Sequence, residues 1–147
     1  MAKVFFDTNL FIDALTESAR PEDQGKRART LQLLEELSHT EDIVTSLQVV
    51  NKCHYVLHRK LALPEELVRQ AVHGGVLSIA TVLPMGLDDY HEACRLRATY
   101  ALSYWDSLIC ASALRVGAQT LYSEDMHNGL TIDSRLRIVN PLTDQAR

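Results

Sequence analysis

The sequence is poor in cysteine. Cys53, Cys94 and Cys110 are the three among 147 residues, an odd count with no paired spacing. That excludes a disulfide framework or a zinc site and fits reduced thiols in a cytoplasmic protein, each set in a helical apolar pattern. No apolar run approaches the roughly 20 residues of a membrane-spanning helix. Met1-Ala2-Lys3 passes straight into a strand-like run, so no signal peptide is expected. Excess positive charge is missing too. A formal net charge of −4 gives no global basic field, which weighs against a module that merely coats nucleic acid but not against an enzyme with a local basic rim. Repeats and low-complexity segments are lacking. What is present is ordinary for one globular domain spanning 1–147: 46% hydrophobic and 23% charged residues, on a chain too short for two comfortable cores.

Strand and helix signals alternate along the chain. Lys3 to Asp7, Ile43 to Thr45, Ala80 to Leu83, Gln119 to Tyr122 and Leu136 to Val139 read as short strands. Between them lie helical patterns: one capped by Thr8 or Asn9, one through Ala28, Leu31, Leu34 and Leu37, one capped by Ser46, and one opened by Pro64. Two more run from Leu87 and through Trp105 to Val116. Residues 17–26, with Pro21 and Gly25, read as a loop, and Gly74-Gly75 reads as a helix stop. The alternation predicts a three-layer α/β/α sandwich around a mainly parallel sheet of four or five strands.

Acidic residues mark the ends of these elements. Asp7 closes Val4-Phe5-Phe6, Asp106 opens the helix after Tyr104-Trp105, and Glu124-Asp125 follow Thr120-Leu121-Tyr122-Ser123. An open parallel sheet gathers its strand carboxyl ends along one edge, where ligands bind. Carboxylates collected there repel one another unless a cation neutralises them, and hard oxygen ligands suit Mg²⁺ or Mn²⁺. The pattern points to metal-assisted phosphodiester chemistry.

Val4-Phe5-Phe6-Asp7-Thr8-Asn9, Tyr104-Trp105-Asp106-Ser107-Leu108-Ile109, Ser123-Glu124-Asp125-Met126 with Gly129, and the closing Arg137-Ile138-Val139-Asn140-Pro141 together resemble the signature blocks of PIN-domain ribonucleases, and among these the VapC toxins of toxin–antitoxin systems. Each block alone is weak; four in order cover nearly the whole chain. The resemblance implies an Mg²⁺- or Mn²⁺-dependent endoribonuclease that cuts a structured cellular RNA such as tRNA or a ribosomal loop. Asp7, Asp106 and Asp125 are the implied catalytic and metal-holding carboxylates, with Asp125 preferred over Glu124. Thr8, Asn9, Ser107 and Ser123 are candidates to orient them by hydrogen bonds, with Glu124 beside them. It also implies a homodimer, with Leu34 and Tyr55 as interface candidates. A small antitoxin is implied as well, its arginine pairing with the carboxylates.

One position departs from the family pattern. Ser46-Leu47-Gln48-Val49-Val50-Asn51-Lys52 places Lys52 where the family carries a glutamate facing the metal. The exchange changes local charge by two units, and each charge pair about 4 Å apart is worth on the order of 4 kcal/mol at an effective dielectric near 20. Three readings follow: a weak or inactive natural protein, compensation by Asn51 through a shift of one, or an inactivating change selected by the toxicity of an active enzyme. Weak or no metal binding is expected, with the Lys52 ammonium near Asp7 or Asp106. A non-catalytic PIN module that binds RNA or an antitoxin peptide is the alternative function, and a phosphatase or flap-type DNA nuclease a third.

The remaining features have bland readings. Asp13 is expected as a surface charge, with a place on the rim of the site as the alternative, His54 and His58 as a polar helix face, and Trp105 as a core or interface anchor. Which residues bind RNA the sequence does not fix. Lys26, Arg27, Arg29, Arg59 and Lys60 are the candidates for phosphate contacts.

Overall fold

Val4, Phe5 and Phe6 are continuously apolar because the strand they form, β1 (Lys3–Phe6), is covered on both faces. In the computed structural model, which describes residues 1–143, β1 is the central strand of a six-stranded sheet. Residues 144–147 of the expected 1–147 domain lie outside the described residues. The elements that follow β1 are α1 (Thr8–Leu15), α2 (Pro21–Thr40), β2 (Asp42–Ser46), α3 (Leu47–Arg59), α4 (Glu65–Val72), β3 (Thr81–Leu83), α5 (Leu87–Tyr100), α6 (Tyr104–Arg115), β4 (Thr120–Tyr122), β5 (Thr131–Ile132) and β6 (Leu136–Val139). The strand order is β3-β2-β1-β4-β6-β5, parallel throughout except for β5 against β6. Helix α1 packs on α2 and α3, while α5 packs on α6 and α6 lies against β2 and β6, which completes an α/β/α sandwich. No helix among the described residues is long and apolar enough to cross a membrane.

This order places a topological switch at the centre of the sheet. From β1 the chain builds outward through β2 and β3 on one side, then returns to lay β4 on the other. Phe5 and Phe6 pair in register with Leu121 and Tyr122, so β1 and β4 end side by side. The crevice outside such a pair of strand ends is where open α/β sheets bind ligands.

Three local expectations are corrected. The expected loop over 17–26 is helical from Pro21, because proline at the first helical position has no orphan N–H to lose and Glu22 and Asp23 complement the helix dipole. Gly74-Gly75 do not stop the chain; it continues through one π-helical turn, His73–Leu77. A Cβ on Gly75 would lie 2.0 Å from Leu15 Cδ2, so a bare backbone lets α1 approach that turn. The sheet has a sixth strand, β5, only two residues long. It is held to β6 by a tight turn in which Asp133 and Ser134 both take positive φ and Arg135 N–H donates to the Ile132 carbonyl at 2.9 Å.

Candidate active site

Asp7 is the first residue beyond β1 and the N-cap of α1, so the expected capping role falls one residue earlier than Thr8 or Asn9. Its Oδ1 accepts the Thr8 backbone N–H at 2.7 Å, and its Oδ2 accepts the Ser123 hydroxyl at 2.8 Å. Thr8 thus contributes its main chain to Asp7. Burial pushes the Asp7 carboxyl above the ordinary carboxylate range; the two hydrogen bonds oppose the shift, and the charges of Asp106 and Asp125 add to it.

Asp106 reaches the same edge from the first turn of α6, where its N–H is capped by the Ser103 hydroxyl at 3.1 Å. Ser107, expected to orient a carboxylate, is buried and spends its hydroxyl on the Ser103 carbonyl at 2.8 Å. Its partner is therefore the backbone of its own helix.

Asp125 stands on the exit of β4. Asn9 Nδ2 donates to its Oδ2 in a short hydrogen bond, and Ser123 Oγ accepts the backbone N–H groups of Asp125 and Met126, both at 3.4 Å. Burial raises its carboxyl pKa and neighbouring Glu124 adds to that; Lys52 pulls it back and Asp106 raises it again.

Glu124 turns the other way. Lys26 Nζ of α2 donates to its Oε1 at 2.6 Å, its carbonyl accepts the Asn140 amide at 3.2 Å, and it shares a hydrogen bond with Asp13 of α1. Burial raises the Glu124 carboxyl, but the bonds from Asp13 and Lys26 outweigh it and leave the group below its ordinary range. Asp13 carries the proton of this pair, pushed up to about 7 by burial and by Glu124. Asp13 is thus half-buried, not the solvated charge expected. It sits four residues after Asn9 on the same face of α1, a spacing that could have placed it there. Lys26 is likewise a structural tie, and Arg29 Nε donates to the Pro141 carbonyl at 2.7 Å.

Lys52 extends from α3 toward the same edge. It depresses the Asp125 carboxyl and the Cys53 thiol by its charge, yet among the described residues it forms no salt bridge with Asp7, Asp106 or Asp125. Trp105, expected as an anchor, is 64% exposed, and Leu34 is only 8% exposed and packs in the core. Cys94 is exposed, unlike Cys53 and Cys110. His54 pairs with Glu65 at 2.7 Å, and His58 Nδ1 lies 3.2 Å from the Leu63 carbonyl, as suits a polar helix face.

The donor set fits a hard divalent cation in kind. Asp7, Asp106 and Asp125 offer oxygen ligands whose mutual repulsion a cation would relieve. Among the described residues no three His, Cys, Asp or Glu side chains stand close enough together to hold a metal ion between them. Mg²⁺ is commonly held by one or two carboxylates and several waters, so an open set of this kind suits it.

The PIN-domain family model matches residues 4–127, and the chain belongs to that family. No curated protein matches the sequence. Among solved structures, a toxin–antitoxin complex from Klebsiella pneumoniae superposes with a TM-score of 0.67 at 20% identity, over 94% of this chain and 97% of that one. DNA-bound VapBC from Salmonella typhimurium gives 0.68 at 19% identity, over 94% and 97%. VapC20 from Mycobacterium tuberculosis, a toxin that cleaves the sarcin–ricin loop, gives 0.60 at 15% identity, over 83% and 89%. At these identities the likeness is one of fold.

Proposed function

We propose that the chain is a VapC-type toxin, an Mg²⁺- or Mn²⁺-dependent endoribonuclease acting on structured RNA in the cytoplasm, with activity attenuated by Lys52. The observation that supports this reading is that the charges of Asp106 and Asp125 both raise the Asp7 carboxyl, which lies at the end of β1 beside the end of β4. The fold shared with the VapBC and VapC structures supports it. When bound, a divalent ion supplies a usable water nucleophile near neutral pH and neutralises charge on the scissile phosphate. The chain's own residues hold the site's shape. Thr8 N–H and Ser123 fix Asp7, Asn9 fixes Asp125, and Lys26 with Asp13 draws Glu124 aside.

Lys52 favours a second reading. A cation beside Asp125 competes for the same carboxylate, which is what a module that binds RNA or an antitoxin peptide without cutting would tolerate. Cleavage of total RNA with Mn²⁺, by the chain and by Lys52→Glu, separates the two. The toxin reading expects cuts that are weak in the chain, stronger in Lys52→Glu and lost in both on adding Asp7→Asn. Intact RNA in every arm supports the binding module, and preference for a DNA flap or a phosphate monoester supports the third class.

Partners follow from the same reading. The structural neighbours that are VapBC complexes support a small antitoxin whose arginine pairs with the acidic crevice. A homodimer is also part of the proposal. Leu34 is excluded as an interface residue by its burial, whereas Tyr55, 59% exposed on α3, remains available. Sedimentation of a clean monomer at micromolar concentration would remove the dimer.

A further inference from the structure

Residues 16–29 join α1 to the buried stretch of α2, and their only apolar side chains are Ala19, Pro21 and Ala28. None of these residues is buried; burial in α2 begins at Thr30 and recurs at Leu34 and Leu37, along one face of the helix. Polar ties set the first turns of α2 against the body: Lys26 Nζ donates to Glu124 Oε1 at 2.6 Å, and Arg29 Nε to the Pro141 carbonyl at 2.7 Å. Others are local, Ser18 Oγ to Asp23 and Gln24 Nε2 to the Ser18 carbonyl, both at 3.0 Å. Gly25 sits in these turns with nothing within 4 Å of where a Cβ would be. No close approach calls for glycine there, and a glycine inside a helix loosens it. Arg27 Nε is buried without a hydrogen-bond partner, a cost that water would remove on opening. Glu124 is the neighbour of Asp125, whose carboxyl also feels the Lys26 charge, so the segment lies at the rim of the acidic crevice.

We propose that residues 16–29 are a lid on the Asp125 side of the acidic crevice, latched by the Lys26–Glu124 ion pair and hinged before Thr30, which lifts for an RNA strand to enter. The access step rests on the ribonuclease reading; the lid itself rests on the packing of α2. A segment without buried apolar contacts opens locally at low cost, whereas Thr30, Leu34 and Leu37 keep the rest of the helix on the core. The latch is a partly exposed ion pair, a kind that contributes little against water and salt. RNA brings phosphates that compete with Glu124 for the Lys26 ammonium, so strand entry and release of the latch favour each other. A helix that is merely solvated would also open, but with no bearing on the crevice.

Amide hydrogen exchange of the full chain in EDTA tests the lid, and stopped-flow binding of a labelled single-stranded oligoribonucleotide tests access. Amides of residues 25–29 should exchange at least about ten-fold faster than those at the same depth in α3, residues 51–55. Lys26→Met keeps the stem and removes the latch, so it should speed exchange of 25–29 further while 31–37 stays unchanged. Gly25→Ala should slow exchange of 25–29 about five-fold. It should slow RNA association by the same factor with dissociation unchanged, because fewer molecules are open. Protection of 25–29 equal to that of 51–55 would overturn the lid, and so would a Lys26→Met effect spread evenly over α2. Slower exchange in Gly25→Ala with an unchanged association rate would show a loose helix outside the path of RNA and equally end the proposal. No binding of the strand by the parent would end it too. RNA left uncut in Mn²⁺ by the chain and by Lys52→Glu, with the exchange pattern and association effect intact, sinks the nuclease and keeps the lid; cleavage with uniform protection does the reverse.

Discussion

Ser123 Oγ donates to Asp7 Oδ2 at 2.8 Å across 116 residues of sequence, and both residues are buried. The bond ties the end of β4 to the end of β1 at the sheet's switch point. Ser123→Ala leaves a buried carboxylate oxygen without its donor, and such a loss costs about 1–3 kcal/mol. Urea denaturation should show a lower midpoint with an unchanged slope. A midpoint equal to the parent's would mean that water takes the hydroxyl's place.

Asp7 itself should be a site where stability is given up. Its carboxyl is raised by burial, so the folded chain holds that proton to higher pH than the unfolded chain, whose aspartate titrates near roughly 3.9. The folded state then binds more protons above that value, and stability falls as pH rises through the folded pKa. Asparagine caps a helix about as well as aspartate and carries no charge. In EDTA, Asp7→Asn should therefore melt above the parent at pH 8, the gap closing toward pH 4, while any Mn²⁺-dependent cleavage is abolished. Parallel melting curves across that range would show that the buried charge costs nothing.

The sheet, and the placing of acids at its strand ends, were legible in the sequence because both signals are local. Val4-Phe5-Phe6 is a short, continuously apolar run rich in β-formers, as a strand buried on both faces requires, and the acid that follows it lies at the strand's carboxyl end. What was not legible depends on partners far along the chain. Glu124 and Asp125 are adjacent in sequence, and only Lys26 and Asp13 arriving from two helices decide that Glu124 turns away while Asp125 meets Asn9. Strand β5 has two residues and exists because of a turn at Asp133-Ser134 and the edge that β6 offers. Pro21 and Gly25 look like loop residues until the first is counted as a helix start.

The pair Asp13–Glu124 gives a second pH signature, distinct from that of Asp7. Asp13 titrates at about 7 in the folded chain and near roughly 3.9 when unfolded, so its contribution to stability is present below the lower value and lost as pH rises toward the upper. Above neutrality two carboxylates face one Lys26 ammonium. Asp13→Asn supplies an N–H to Glu124 at every pH and should flatten the fall in Tm between about pH 4 and 7, with cleavage of RNA unaffected in kind. Carboxyl carbon chemical shifts of Asp13 that titrate near 4 would overturn this assignment.

Lys52 provides the decisive test of the metal-side reading. In the folded chain its charge holds the Asp125 carboxyl down against the pull of burial and of Glu124. Lys52→Glu reverses that charge, so without metal Asp7, Asp106 and Asp125 gain a fourth negative neighbour and Tm should fall. A cation that binds only the folded state adds stability as its concentration exceeds its dissociation constant. Mn²⁺ should therefore raise the Tm of Lys52→Glu steeply and that of the parent only slightly, with calorimetric affinities in the same order. Adding Asp125→Asn should erase most of the difference between the two, since Asp125 is the carboxylate that Lys52 addresses. Equal Mn²⁺ shifts in the parent and in Lys52→Glu would show that position 52 does not face the metal, and the attenuation would then need another cause.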